Sequence, residues 1–251
     1  MDDIEIKTIQ IQFDKAFSIC TNEEIKTFYT GLIQKKKDTF GVFSNNSDKF
    51  GKLYFIDGAI GCGKSTIMKN YILLNGIESL LYYNTEYYVN SCELNTDFLS
   101  QYNIAKDFLW QDIQKRILTG ESFIVESVFT KESKINILKE AVKKGYNLDG
   151  TYVGTSNPNI NIERVKKRVQ QGSHSIPIEK IVDRYYKSLE NLKTIFNISN
   201  TLMIFDNSNN KPSLILYKQS KNIFLSDRLP IWINNYLMQK INLNEYTCTR
   251  Y

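Results

Sequence analysis

The sequence predicts an α/β fold of three layers, with a mostly parallel five-stranded sheet, a helical lid and a small C-terminal hairpin. Two observations carry this. From residue 52 to residue 226, short apolar runs alternate with segments of helical apolar spacing, the pattern of βαβ units. The stretch IDGAIGCGKST (56–66) fits G-x-x-x-x-G-K-[ST] and lies between a strand and a helix candidate.

KLYFID (52–57) is the first strand, and STIMKNYILL (65–74) is a helix that stops at Asn75-Gly76. SLLYYN (79–84) is the second strand. In IAKDFLWQDIQKRIL (104–118), Ile104, Phe108, Ile113 and Ile117 lie near one helical face, and the helix ends at Gly120. SFIVES (122–127) is the third strand, KESKINILKEAVKK (131–144) a helix closed by Gly145, and YNLDGTYVGT (146–155) the fourth strand. Two helical segments follow, 160–171 and 177–192, separated by GSHSI. TLMIFDN (201–207) is the fifth strand, and SLILYKQ (213–219) with NIFLS (222–226) forms a hairpin.

These elements delimit one α/β domain over 49–226, an N-terminal helical extension over 1–48 and a tail over 227–251 packed on the domain. The extension holds one amphipathic stripe, Ile25, Phe28, Tyr29 and Leu32, which suits core packing better than a partner interface.

Composition bounds the function. At 251 residues, 42% hydrophobic and 24% charged, the chain has the makeup of an ordinary globule. No apolar run reaches a membrane span, and the acidic, polar start MDDIEIKTIQ does not read as a signal peptide, so the expected location is cytoplasmic. Cys20, Cys62, Cys92 and Cys248 lack C-x-x-C spacing, which argues against a metal cluster or a disulfide framework. Cys62, inside the phosphate loop, reads as a small residue there, since redox sensing would require a lowered pKa. The net charge of +5 is spread out, and the run Lys35 to Lys37 reads as a solvated helix end. That disfavours nucleic acid and fits a cleft for small phosphorylated molecules.

The loop Gly58, Ala59, Ile60, Gly61, Cys62, Gly63, Lys64, Ser65 and Thr66 is expected to bind ATP. Glycines allow backbone N–H groups to crowd a phosphate at a helix N-terminus, Lys64 reaches the β- and γ-phosphates, and Ser65 holds Mg²⁺. There is no N-K-x-D guanine reader and no L-S-G-G-Q-like signature, which sets aside GTPases and transporter ATPases. A small-molecule kinase needs an acid near the acceptor hydroxyl and arginines over the transferring phosphoryl. Glu126 ends the third strand and Glu86 follows the second, both at the carboxyl edge where open α/β sheets bind ligands. Arg164 and Arg168 are four apart on one helix face, with Lys167 beside them, after the fourth strand. His174, the only histidine, stands in the lid turn and either orients ligand or braces the turn.

From Ala105 to about Tyr217 the chain resembles the zeta-toxin family of P-loop kinases, especially its branch of zeta-toxin-like predicted ATPases. SFIVESVFTKES (122–133) is similar to the family strand ending in Glu-Thr or Glu-Ser. ERVKKRVQQGSHSIPIEKIVDRYYKSLENL (163–192) is similar to a run of E-R-V-x-x-R-V, G-G-H-x-[IV]-P and R-Y-x-x-S-L-x-N-L. FDNSNNKP (205–212) resembles the closing Asp-Asn-Ser segment. The resemblance implies phosphorylation of a small-molecule hydroxyl by ATP with Mg²⁺. The best-known members act on the nucleotide sugar UDP-N-acetylglucosamine and are held inactive by an antitoxin protein. It also implies that Lys64 and Ser65 bind nucleotide and metal, that Glu126 helps hold acceptor or metal, and that Arg164 and Arg168 are lid arginines. Glu86 falls where the family places a catalytic Asp, one methylene longer in NTE (84–86). Gly172-Ser173-His174 replaces the branch's Gly-Gly-His.

A second resemblance, of IDGAIGCGKST and ERVKKR to deoxynucleoside kinases, lacks that family's Arg after the Glu and its Glu-Pro-x-x-x-Trp-like segment. A regulatory module that binds nucleotide without an acceptor is the non-enzyme alternative.

Overall fold

The computed structural model describes residues 51–85, 98–209 and 211–251. The helix expected over 23–37, Glu86, Cys20 and Cys92 lie outside the described residues.

Strand β1 (Lys52–Asp57) leads through the phosphate loop into α1 (Lys64–Asn75), which ends at Gly76 in the left-handed conformation that suits a helix C-terminus. Then come β2 (Leu81–Tyr83), α2 (Phe98–Thr119), β3 (Phe123–Glu126), α3 (Glu132–Lys143) and β4 (Asn147–Gly154). Helices α4 (Pro158–Gln170) and α5 (Ile178–Ile198) precede β5 (Thr201–Asp206). Proline at the start of α4 and the Asn157 side chain, which accepts from the Asn159 amide, set that helix boundary.

The sheet order is β2-β3-β1-β4-β5-β6-β7-β8, with β6 (Ser213–Gln219), β7 (Asn222–Leu225) and β8 (Thr247–Arg250) on one side. The first five strands are parallel, β5–β6 and β6–β7 pair antiparallel, and β7–β8 pair parallel. The sheet therefore has eight strands where the sequence predicts five. The expected hairpin does form, but it hydrogen-bonds directly to β5 and extends the sheet. The tail adds α6 (Ile231–Tyr236) and β8, which covers the open edge of β7.

Side chains alternate across the strands, so both faces bury apolar residues. Leu53, Phe55, Phe123, Val125 and Leu148 pack on one face with α2, α3 and α5. Tyr54, Ile56, Ile124, Val153 and Met203 pack on the other with α1. Each such side chain contributes about 1.5–3 kcal/mol of burial.

Helix α2 corrects the expected stripe. Ala105, Leu109, Ile113 and Ile117, spaced by four, are buried, whereas Ile104 and Phe108 are 41% and 61% exposed. The sequence reading passed over Ala105 because a single methyl carries little apolar signal, yet it fixes which side of the helix meets the sheet.

Candidate active site

The carboxyl ends of β1, β3, β4 and β5 converge on the phosphate loop. Gly61 and Gly63 have φ of 78° and 98°, and a Cβ on Gly63 would stand 2.4 Å from the Asn207 Nδ2. Only glycine meets both demands. Three loop carbonyls are tied by side-chain donors, two from outside the loop and one from Lys64 within it. Asn161 Nδ2, on α4, donates to the Ile60 carbonyl at 2.7 Å, and Asn207 Nδ2, after β5, donates to the Cys62 carbonyl at 2.8 Å. Lys64 Nζ donates to the Ala59 carbonyl at 2.9 Å. With its carbonyls committed in this way, the loop keeps amide hydrogens for an anion. Asn161 is itself fixed by Thr155 Oγ1, which donates to its Oδ1 at 2.5 Å, and it is fully buried.

Asp57, at the end of β1, is also fully buried. Its Oδ1 accepts from the amides of Gly58 at 2.6 Å and Phe129 at 2.9 Å, joining the loop entrance to the turn after β3. Its Oδ2 has no hydrogen-bond partner among the described residues. Burial pushes the carboxyl up to about 6, against the opposing pull of the two amides, Lys64 and Lys134. Burial likewise pushes the Cys62 thiol up, which leaves it a small, buried, protonated residue in the loop.

Ser65 and Glu126 meet. Ser65 Oγ donates to Glu126 Oε1 at 2.6 Å, and Tyr82 of β2 donates its hydroxyl to Oε2. Asn84 Nδ2 lies 3.4 Å from that hydroxyl. With its hydrogen directed at the carboxylate, the Ser65 oxygen turns its lone pairs away from Glu126. This is the donor set that a hard, oxygen-seeking cation takes. The Ser65 oxygen therefore fits magnesium as a ligand, with Glu126 as the group that orients it.

Arg164 and Arg168 lie on one half-buried side of α4. Arg164 Nη2 donates to the Asn209 carbonyl at 3.2 Å, and the Asp206 carboxylate acts on its charge. Burial holds the guanidinium below its ordinary value. Asp206 is in turn held by Ser208 Oγ at 2.6 Å and Trp232 Nε1 at 3.0 Å. His174 is exposed in the connection between α4 and α5. The structure thus brings Lys64, Ser65, Glu126 and Arg164 around one edge, while Glu86 lies outside the described residues.

Sequence reasoning missed Asp57, Tyr82, Asn161 and Asn207. Asp57 stood within the quoted loop and Asn207 within the quoted FDNSNNKP, but an Asn or Asp in a turn has many uses, and only the contacts distinguish them.

No protein-family model matches the chain, and no curated protein matches it. Among solved structures, the PezAT chromosomal toxin–antitoxin system of Streptococcus pneumoniae aligns at 16% identity over 76% of this chain and 79% of that chain, with a TM-score of 0.51. The AvrRxo1-ORF1:-ORF2 structure with ATP aligns at 10% identity over 83% of this chain and 66% of that chain, with a TM-score of 0.53. At these identities the likeness is one of fold: the chain shares the α/β architecture of these proteins, a mostly parallel sheet between layers of helices. Among the described residues, no helix is long and apolar enough to cross a membrane.

Proposed function

We propose that the chain is an ATP- and Mg²⁺-dependent phosphotransferase of the zeta-toxin type, transferring the γ-phosphoryl to a hydroxyl of a small acceptor such as the nucleotide sugar UDP-N-acetylglucosamine. The observation that carries this reading is the Ser65–Glu126–Tyr82 relay set beside Lys64 at the mouth of the phosphate loop. When bound there, magnesium neutralises charge on the β- and γ-phosphates.

The chain's own groups then divide the work. The loop amides cradle the phosphates. Lys64 exchanges its contact with the Ala59 carbonyl for phosphate oxygens, a shift of one flexible side chain. Both oxygens of Glu126 already accept hydrogen bonds, so it positions Ser65 and is poorly placed to take the acceptor's proton. That step falls to Glu86, which orients or deprotonates the hydroxyl. Arg164 and Arg168 cover the transferring phosphoryl and exclude water. An antitoxin protein is the partner in this reading, because one structural relative is a toxin–antitoxin system.

The test is mass spectrometry of purified protein with Mg·ATP and a panel of nucleotide sugars, nucleosides and cell metabolites, beside Lys64→Ala. A nucleotide sugar that gains one phosphate only with Lys64 present supports the proposal. A phosphorylated nucleoside transfers the case to the deoxynucleoside-kinase reading. Bound ATP with no product from any panel member overturns the kinase reading in favour of a regulatory module.

A further inference from the structure

Lys134, on the first turn of α3, lies outside the loop, the relay and the lid. Its ammonium donates to Ser127 Oγ at 2.7 Å and to the Val128 carbonyl at 3.4 Å, in the turn directly after Glu126. An ammonium has three donors, so one remains. The same nitrogen stands 5.1 Å from the centroid of the Trp110 ring, and Trp110 packs its ring edge-on against Phe129 at 6.3 Å. The indole Nε1 of Trp110 is buried and has no hydrogen-bond partner among the described residues.

The charge around Lys134 is unbalanced. Arg184, Lys131 and Lys106 all act on it with the same sign, and Asp57 is the acid acting against them. Burial and Arg184 together push the ammonium down to about 8. Among the described residues, neither Lys134 nor Arg184 forms an ion pair. Arg184 lies on the face of α5 that carries Asn191 two turns later, and Asn191 Nδ2 donates to the Phe129 carbonyl at 2.9 Å, next to the Val128 carbonyl that Lys134 reaches. Two half-buried cations, a surplus donor and an unpartnered indole N–H therefore gather at the turn that follows Glu126. Holding like charges together without counter-ions costs free energy that an arriving anion recovers.

We propose that Lys134 and Arg184, walled by Trp110, form the subsite for an oxyanion group, phosphate or carboxylate, carried by the acceptor. This rests on the phosphotransferase reading for the word acceptor, but the binding itself does not. Lysine supplies a point charge, arginine a planar pair of donors, and the indole face a wall that excludes water. The acceptor hydroxyl would then lie between this anchor and Glu126.

The chain has two tryptophans, Trp110 and Trp232, so protein labelled with ¹⁵N-tryptophan shows two indole N–H signals, assigned with Trp110→Phe. The Trp232 signal, already bonded to Asp206, is the internal control. With the phosphate loop filled by Mg²⁺ and a non-hydrolysable ATP analogue, inorganic phosphate and then acetate are titrated in. The expected result is a saturable shift of the Trp110 signal with one of them, weakened at least tenfold in Lys134→Met and in Arg184→Met. Methionine keeps the apolar stem in place, and an unchanged Trp232 signal shows that each variant is folded. Response to phosphate assigns a phosphorylated acceptor, and response to acetate alone assigns a carboxylate. If neither anion moves Trp110, or both variants respond like the parent, the subsite does not exist. The titration needs no turnover, so it stays readable if no product is ever found. Conversely, a phosphorylated product can appear while Trp110 stays silent, which would sink the subsite and leave the kinase.

Discussion

Asp57→Asn tests the electrostatic account of the loop entrance. The wild-type carboxyl, ordinarily at 3.8, stands at about 6 in the fold because burial outweighs its two amide donors and two lysines. At about 1.4 kcal/mol for each tenfold change, ionising it inside the protein costs roughly 3 kcal/mol. For an acid raised in the fold, the stability is fully present below pH 4, where folded and unfolded chains both carry the proton. It is lost as pH rises through 6. Asparagine keeps the oxygen that accepts from Gly58 and Phe129 and never ionises, so its own contribution is flat. Its Nδ2, placed where Oδ2 lacks a partner, adds a constant offset that does not depend on pH. The quantity to measure is therefore the difference in unfolding free energy between variant and parent, from urea titrations at pH 4, 5, 6 and 7. That difference should move in the variant's favour by about 2.4 kcal/mol between pH 4 and 7, the remainder of the roughly 3 kcal/mol falling below pH 4. Every other titrating group cancels in the subtraction. A flat difference would mean that Asp57 ionises as an ordinary carboxyl, and the account of a strained entrance would fall with it.

Asn161→Ala strips a donor from the Ile60 carbonyl and an acceptor from the Thr155 hydroxyl, both buried. The expected loss is about 2–4 kcal/mol of stability with weakened ATP binding, and an unchanged melting midpoint would contradict the clamp. Gly63→Ala sets a Cβ 2.4 Å from the Asn207 Nδ2 at a φ of 98°, and should cost on the order of 1–3 kcal/mol and most of the nucleotide affinity. Nucleotide titration of the double variant with Asn207→Ala should recover only the steric part, and full recovery would show that the φ is not strained. Tyr82→Phe removes one of the two donors to Glu126. The Mg²⁺-dependent gain in ATP affinity, read by calorimetry with and without the metal, should fall about tenfold, since a charged-acceptor hydrogen bond contributes roughly 1.5–3 kcal/mol.

The sheet and the loop were legible in the sequence because each rests on local signals. Period-two apolar runs mark strands, helical spacing marks the layers, and the glycine pattern before Lys64 marks the turn. The order of the strands and the attachment of β6 to β8 were not legible, because pairing partners are decided by contacts far apart in sequence. The tail shows this well. LPIWINNYL carries no periodic signal, yet Trp232 is 4% exposed and lies against Gly154, where a Cβ would stand 2.4 Å from its ring. The missing side chain at Gly154 makes the room, and nothing near either residue in the sequence says so. Lys134 and Arg184 were both quoted, one in a helix and one in the lid run, but a lysine on a helix reads as a wet face until its neighbours are known.

The lid follows from the same contacts. A lid that swings as a whole would carry Asn161 with it, but Asn161 is fully buried and bonded to both Thr155 and the Ile60 carbonyl. Breaking those bonds would open the phosphate loop instead of closing over it. The first turn of α4 is therefore part of the loop's scaffold, and Ile162 and Val165 pack with Ile60 and Ile181 to hold it there. Arg164 is one turn from Asn161 and already touches the Asn209 carbonyl, so it stands near the phosphate side before any nucleotide arrives. What can move lies further along. Gly172, with a φ of 89° and open space around it, begins the connection to α5, and His174 and Ser175 beyond it are exposed. In the proposed reaction, closure is therefore left to the end of α4 and the turn after it, beyond the turn that is tied to the phosphate loop. Arg164 and Arg168 are both half-buried on the same side of α4, so in the proposed reaction they approach the phosphoryl together from one helix face.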